Sequence, residues 1–149
     1  MYTFLQVPGI FHFAFLFGLL ICLEINGQDF QLIKYRVRDG LPTDVIKSVA
    51  EDSLGFLWVA TDEGLAKFDG SRFTHYKEAL RSQYAKAFLT NRKGKLFLIG
   101  DLDLIEIASR VDSAVIKSVR QGTRNPSDSS LWYPKSIYEN DAGDLWIGE

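Results

Sequence analysis

The chain has 149 residues, of which 46% are hydrophobic and 24% are charged. This composition excludes an intrinsically disordered protein, because such chains combine low hydrophobicity with high net charge. The formal net charge is −2, with acidic and basic residues interspersed, so nothing in the charge pattern indicates a nucleic-acid partner.

Residues 1–27 differ from the rest of the chain and predict an apolar helix that acts as a signal peptide. Residues 10–23 form a nearly unbroken apolar run. Its length of about fourteen residues suits a signal-peptide core better than a membrane span of about twenty. We expect cleavage after Gly27 and export from the cytoplasm. An uncleaved membrane anchor and a cytosolic chain stay open as alternatives, because no lysine or arginine precedes the run.

Cys22 is the single cysteine, and it lies inside the apolar run. The mature chain, residues 28–149, would therefore contain neither a disulfide nor a cysteine-based metal site.

From residue 30 onward the sequence predicts short strands joined by turns. We expect a first strand at residues 30–37 and a turn at residues 39–42. Four strands then follow at 45–51, 56–60, 65–68 and 72–76, and four more at 84–90, 96–99, 104–107 and 114–119. A polar loop at 121–130 precedes strands at 131–139 and 145–148. No helical period appears after residue 28.

One motif, a turn followed by an apolar strand, occurs three times in this region. Asp and Gly suit the turn, since Asp bonds its own backbone locally and Gly accepts a positive φ. The turn glycines are residues 55, 94 and 143, so the repeats are 39 and 49 residues apart. The positions that define the repeat are Asp52, Gly55, Trp58, Gly64, Gly94, Phe97, Gly143 and Trp146.

A period of roughly 40–50 residues with strand-type units predicts a β-propeller of four-stranded antiparallel blades. The fold class is therefore all-β, with one blade at 39–80, a second at 81–120 and a partial blade at 131–149. These make about 2.5 blades, whereas propellers close with about four to eight. We expect the chain to be the front end of a longer protein or a truncated gene product.

The amino-acid sequences of the repeats resemble those of a known family. The first copy contains Asp-Gly-Leu-Pro at 39–42, Glu-Asp-Ser-Leu-Gly-Phe-Leu-Trp-Val-Ala-Thr at 51–61 and Phe-Asp-Gly at 68–70. The last copy contains Asn-Asp-Ala-Gly-Asp-Leu-Trp-Ile-Gly at 140–148. Both are similar to the repeats of the two-component regulator propeller family.

That resemblance implies the periplasmic sensor region of a hybrid two-component system. The partners it implies are an extracellular small molecule or oligosaccharide, the remaining blades of a longer parent, and a homodimer of that parent. It also implies a parent with histidine kinase activity, while this chain carries no kinase motif and no response-regulator motif. The expected function of the chain itself is ligand sensing without catalysis.

Trp132 and Tyr133 are the candidates for ligand contact. They follow the polar loop rather than occupying a repeat position, and loops on a rigid scaffold often carry binding. The alternative is that both residues begin a strand and pack in the core. Trp58 and Trp146 recur at equivalent strand positions, so we expect both to be buried between sheets.

Other side chains give weaker indications of chemistry. Asp101 and Asp103 could form a carboxylate pair for glycoside hydrolysis, but a turn and a solvated face are the expected locations. His75 is the one histidine after residue 28 and has no partner motif, and no calcium loop is present. We therefore expect no catalytic residue, cofactor or metal.

Two other functions stay open. The first is a fragment of a secreted propeller enzyme, such as a glycosidase or lyase, which a catalytic cluster in further blades would indicate. The second is a nonfunctional gene remnant, which should aggregate when isolated because its sheet edges would be exposed.

Overall fold

The computed structural model describes residues 31–123 and 130–149. The predicted signal peptide with Cys22, and residues 124–129 of the polar loop, lie outside the described residues. Lys34–Glu149 form one unit by themselves, and this unit contains all the described strands. None of the described helices has the length and apolarity needed to cross a bilayer.

The described residues contain ten strands in three antiparallel sheets, and within each sheet every strand pairs with its neighbour in sequence. Sheet 1 contains β1 (Ile46–Glu51), β2 (Leu57–Thr61), β3 (Gly64–Phe68) and β4 (Phe73–His75). Sheet 2 contains β5 (Ala85–Thr90), β6 (Leu96–Gly100), β7 (Asp103–Ser109) and β8 (Ala114–Gln121). Sheet 3 contains β9 (Ser136–Glu139) and β10 (Leu145–Gly148). The expected all-β class of four-stranded antiparallel modules is confirmed.

The same turn joins the first two strands of each sheet. In sheet 1 the Asp52 amide donates to the Phe56 carbonyl at 3.0 Å, and the Gly55 amide donates to the Asp52 carbonyl at 3.1 Å. Asn91 and Asn140 make the equivalent bonds in the other two sheets. The three turn glycines have φ values of 84°, 73° and 88°, a conformation that side chains other than glycine rarely adopt. The repeated sequence motif therefore encodes one repeated turn.

Two apolar layers hold the sheets together. The first lies between sheets 1 and 2 and is built around Trp58, Leu65, Leu98 and Ile105. The second lies between sheets 2 and 3 and includes Phe97. Alternate residues of β6 face opposite layers, so this strand is buried on both sides.

Three strand pairings in the described residues shift register, and two of these bulges lie at equivalent places that the sequence did not reveal. The pairing of β1 with β2 shifts between Ile46 and Ser48, and the pairing of β5 with β6 shifts between Ala85 and Ala87. The extra residue is a lysine in each case, Lys47 in sheet 1 and Lys86 in sheet 2. Bulges redirect a side chain and often lie beside functional sites.

The first predicted strand, at residues 30–37, is wrong. Residues 31–36 are not a strand, and Val37–Asp39 form a short 3-10 turn closed by the Asp39 carboxylate, which accepts from the Arg36 amide at 2.8 Å. Apolar spacing alone suggested a strand. The segment is instead held by side-chain packing, because Tyr35 lies 4.9 Å from the ring of Phe68.

The expected burial of Trp146 is also wrong. Trp58 is fully buried and Phe97 is 6% exposed, whereas Trp146 is 64% exposed. All three occupy the same position in the second strand of their sheets. Sheet 2 covers Trp58 and sheet 3 covers Phe97, but no described strand packs on the face that carries Trp146.

Candidate functional site

Trp132 and Tyr133 lie in the segment that leads into sheet 3, beside the turn between β6 and β7. The Tyr133 amide donates to the Asp101 carbonyl at 3.0 Å, and the Trp132 amide donates to Glu149 Oε1 at 2.8 Å. The two rings meet edge to face, with centroids 4.7 Å apart. Tyr133 is 42% exposed, so part of its ring is available to a ligand.

The backbone of Tyr133 is unusual, with a φ of 48°. No other described residue except glycine has a positive φ. A left-handed backbone at a residue with a side chain costs about 1–3 kcal/mol and often marks a functional site. Tyr133 is thus the residue with a side chain that has a strained backbone in the described part of the chain.

A lysine that the sequence analysis did not identify lies against Tyr133. Lys86 Nζ is 2.6 Å from Asp101 Oδ1 and 5.2 Å from the centroid of the Tyr133 ring. It also donates to the Pro134 carbonyl at 3.0 Å. The β5 bulge directs this lysine toward sheet 3, so one ammonium group connects three segments. Its recurrence with Lys47, 39 residues earlier, was the signal available in the sequence.

Asp101 and Asp103 are both buried, so the expectation of a solvated face is wrong. They are buried because each has its own donors. Asp101 pairs with Lys86, and Asp103 Oδ2 accepts from the Arg81 amide at 2.9 Å. Burial raises the pKa of Asp103 above its usual value, although hydrogen bonds from the Arg81 and Ser82 amides and the charge of Arg81 oppose the shift. These contacts give both carboxyl groups a structural role.

Asp103 lies at the base of a cleft of about 480 Å³ between the segment 78–81 and strands β7 and β8. Its position corresponds to Gly64 in sheet 1, which has a φ of 123° and pairs with Thr61. At this place in the repeat, sheet 2 therefore has an anchored aspartate where sheet 1 has a glycine with a positive φ.

Asp52 links the first turn to the first apolar layer. Its Oδ1 accepts from the Leu54 amide at 2.9 Å and the Phe56 amide at 3.1 Å, and its Oδ2 accepts from Trp58 Nε1 at 2.7 Å. Ser109 of sheet 2 donates to the same Oδ2. Burial raises the pKa of Asp52, but these hydrogen bonds outweigh it, so the pKa lies below its usual value. The aspartate of the first turn is thus structural.

His75 lies on the edge strand β4, where its Nε2 is 2.6 Å from the Gly40 carbonyl oxygen. This contact anchors the 3-10 turn. Across residues 31–123 and 130–149, no three His, Cys, Asp or Glu side chains are grouped so as to hold a metal ion.

The class defined by this geometry is an all-β propeller-type protein built from four-stranded modules. Residues 40–63 of this chain match the family model of the two component regulator propeller. The predicted resemblance to that family is confirmed. The matched segment begins at the turn before β1 and ends in the β2–β3 connection, so it contains Asp52, Gly55 and Trp58.

Comparison of sequences and structures also finds similar proteins, among them the following three. Histidine kinase P4 of Formosa agariphila is 33% identical over 69 residues, which are 46% of this chain and 5% of the kinase. The extracellular domain of a putative hybrid two component system from B. thetaiotaomicron superimposes with a TM-score of 0.58 at 20% identity, covering 78% of this chain and 16% of that one. Virginiamycin B lyase from Staphylococcus aureus superimposes with a TM-score of 0.50 at 16% identity, covering 70% of this chain and 34% of the lyase.

The two structural relatives show the fold alone, because their sequence identity is low. All three proteins are much longer than the stretch that aligns: the chain spans only about a twentieth of the kinase and about a third or less of the two solved chains.

Proposed function

We propose that the chain is the ligand-sensing part of a two-component signal transduction protein and that it detects an oligosaccharide or another extracellular ligand. The match of residues 40–63 to the two component regulator propeller carries this proposal. The kinase relative supports a parent with histidine kinase activity. In that parent, further blades and a second copy would be the partners of this segment.

Residues 131–135, which lead into sheet 3, are the proposed ligand-contacting part. They present the aromatic rings of Trp132 and Tyr133 beside the charges of Lys86 and Asp101. A ligand can change signalling only by binding one conformation of the parent more tightly than another. Since the described carboxyl groups Asp101 and Asp103 have structural donors, the proposed role of this chain is sensing rather than catalysis.

The test removes the gene and measures transcripts during growth on single polysaccharides. We expect induction of one set of genes for glycan use to disappear and to return when the intact gene is restored. Restoration with Trp132→Ala and Tyr133→Ala combined should fail, while the control Val111→Ala, at an exposed turn residue, should succeed. Transcripts that are unchanged on every polysaccharide would refute the proposal.

The proposed location is the periplasmic side, after removal of residues 1–27. Mass spectrometry of the protein from cells should therefore give a mature N-terminus at Gln28. An intact Met1 together with a cytoplasmic location would refute this part of the proposal.

A further inference from the structure

Both apolar layers join unlike faces of successive sheets. In the first layer, the face of sheet 1 that carries Trp58 covers the face of sheet 2 that carries Leu96. In the second layer, the face of sheet 2 that carries Phe97 covers the face of sheet 3 that carries Leu145. We call the face with Trp58, Phe97 or Trp146 the front face of its sheet, and the opposite face, with Leu57, Leu96 or Leu145, the back face.

One front face and one back face have no described sheet against them. The front face of sheet 3 carries Trp146 and its paired residue Tyr138, which are 64% and 62% exposed. The back face of sheet 1 carries Val49 and Leu57, which are 55% and 39% exposed. By contrast, Leu96, which holds the repeat position of Leu57 in sheet 2, is 2% exposed, because sheet 1 covers it.

The back face of sheet 1 contains a cavity of about 270 Å³, and its lining residues are all aliphatic or aromatic. Val49, Leu57 and Phe68 line it together, because the strand pairing places them on one side of the sheet. Tyr35 and Leu41, from the segment before β1, also line it. Such a cavity accepts an apolar side chain and offers no partner to a charged one.

The first layer shows which side chain fits a surface of this kind. There Trp58 lies in one cluster with Leu96 and Ile107 of sheet 2. The residues at the same repeat positions in sheet 1, 39 residues earlier, are Leu57 and Phe68, and both line the cavity. The tryptophan of sheet 3 has the same repeat position as Trp58, so it matches the cavity as Trp58 matches sheet 2.

The turns beside these faces indicate how strong the contact would be. In the second layer, the Arg92 amide donates to Glu139 Oε2 at 2.7 Å, and the Arg92 side chain pairs with Asp141. At the repeat positions of Arg92 and Glu139, sheet 3 has Asp141 and sheet 1 has Glu51. The Asp141 amide can donate to a Glu51 carboxylate, but the two side chains carry like charges. A layer between these faces should therefore be weaker than the second layer.

We propose that copies of this chain associate head to tail, with the front face of sheet 3 in one copy against the back face of sheet 1 in the next. Trp146 enters the cavity beside Leu57 and Phe68 and forms a third apolar layer of the same kind. A second copy is the occupant because one chain supplies both of the complementary faces. This heterologous contact produces growing chains or closed rings instead of a symmetric dimer. The association goes beyond the sensing function and does not depend on it.

The experiment measures the mass of the purified full chain by sedimentation equilibrium, from about 1 μM to about 1 mM protein. The wild-type mass should increase with concentration. Val49→Lys places a charge at the cavity and Trp146→Lys removes the ring that fills it, so each variant alone should stay monomeric. Mixed in equal amounts, the two should form a heterodimer that grows no further, because each retains one intact face. Val115→Lys, at an exposed apolar position of sheet 2, is the matched control and should associate like the wild type.

The heterodimer distinguishes the head-to-tail contact from every other one, and its formation also shows that both variants are folded. A wild-type chain that stays monomeric throughout would overturn the proposal. If Val49→Lys alone still forms dimers, two front faces meet; if Trp146→Lys alone still forms dimers, two back faces meet, and either result overturns it. If all variants associate alike, residues 1–27 or another surface holds the copies together and the proposal is wrong. The transcript measurement tests the sensing function independently of these results.

Discussion

At the scale of single residues, the aspartate that opens the repeat acts through both oxygens at once. Asp52 closes its own turn with Oδ1 and holds the Trp58 indole with Oδ2. Asn91 and Asn140 keep only the first of these roles, since their Oδ1 atoms accept turn amides at 2.8 Å. The indole bond is therefore specific to the copy whose strand carries a buried tryptophan.

Asp52→Asn should keep the turn and lose the bonds to Trp58 and Ser109. We expect a loss of about 2 kcal/mol in the free energy of unfolding at neutral pH, as for hydrogen bonds to a charged group. Asp52→Ala should cost more, because it also removes the turn acceptor. Urea denaturation of the three proteins measures both effects, and equal stability of wild type and Asp52→Asn would contradict the assigned role.

The pH dependence of stability provides a separate measurement on Asp52. Its pKa is below the usual value in the folded protein, so its charged form stabilises the fold above the unfolded pKa, near 3.8. That contribution should disappear as the pH falls through the folded pKa. The Asp52→Asn protein should show a shallower decline of stability with acidification below about pH 4, and parallel curves would contradict the prediction.

Lys67 is a second residue whose role is visible only in three dimensions. It is 4% exposed, and its Nζ donates to the carbonyls of Arg110, Val111 and Ser113 at 3.1, 3.4 and 3.2 Å. The ammonium also lies 4.3 Å from the centroid of the Phe56 ring. The Lys67 ammonium group of sheet 1 thus donates hydrogen bonds to the backbone carbonyls of the β7–β8 turn in sheet 2.

Lys67→Met keeps the length of the side chain and removes the ammonium. We expect the free energy of unfolding to fall by about 3 kcal/mol, because three carbonyl groups lose their donor. Lys117→Met, at an exposed position of β8, is the matched control and should change stability little. If Lys67→Met leaves the thermal unfolding midpoint unchanged, the ammonium group does not hold the β7–β8 turn.

At the scale of elements, the repeated turn and the strand order were predictable because both have local causes. Asx-type hydrogen bonds and a glycine with positive φ fix each first turn, and the alternation of apolar residues fixes the strands. The bulges at Lys47 and Lys86 were not predictable, because an extra residue in a strand leaves the apolar pattern almost intact. The contact of Lys86 with Tyr133 was not predictable for the same reason. The burial of Asp101 and Asp103 was not predictable either, because it depends on hydrogen-bond and ion-pair donors that only the folded chain brings near them.

Gly94→Ala tests the element-level explanation. The φ of 73° disfavours alanine, although a methyl group there would meet no atom within 4 Å. We therefore expect a loss of about 1–2 kcal/mol from the backbone alone. Gly94→Asn should lose less, since asparagine tolerates this conformation. Urea denaturation distinguishes the two, and equal losses would point to packing instead of backbone conformation.

At the scale of the whole molecule, each sheet hides the aromatic residue of the sheet before it. Trp58 is covered by sheet 2 and Phe97 by sheet 3, while Trp146 is left 64% exposed beside the exposed ring of Tyr138. Exposed aromatic surface of this kind favours self-association.

Trp146→Lys should therefore reduce light scattering by the purified chain and leave its unfolding midpoint nearly unchanged. Trp58→Leu should lower the stability by about 3 kcal/mol, because the smaller side chain leaves a cavity in the first layer. The two substitutions affect the same repeat position, so the contrast isolates the effect of burial. Equal losses of stability would show that Trp146 is packed.

The two bulges also bear on how the chain arose. An extra residue in a strand is a local irregularity that a β-ladder does not require, yet it stands at the same place in sheets 1 and 2. Each time it carries a lysine. Duplication of a single module that already contained this irregularity would leave it at the same place in both copies, which is the arrangement observed.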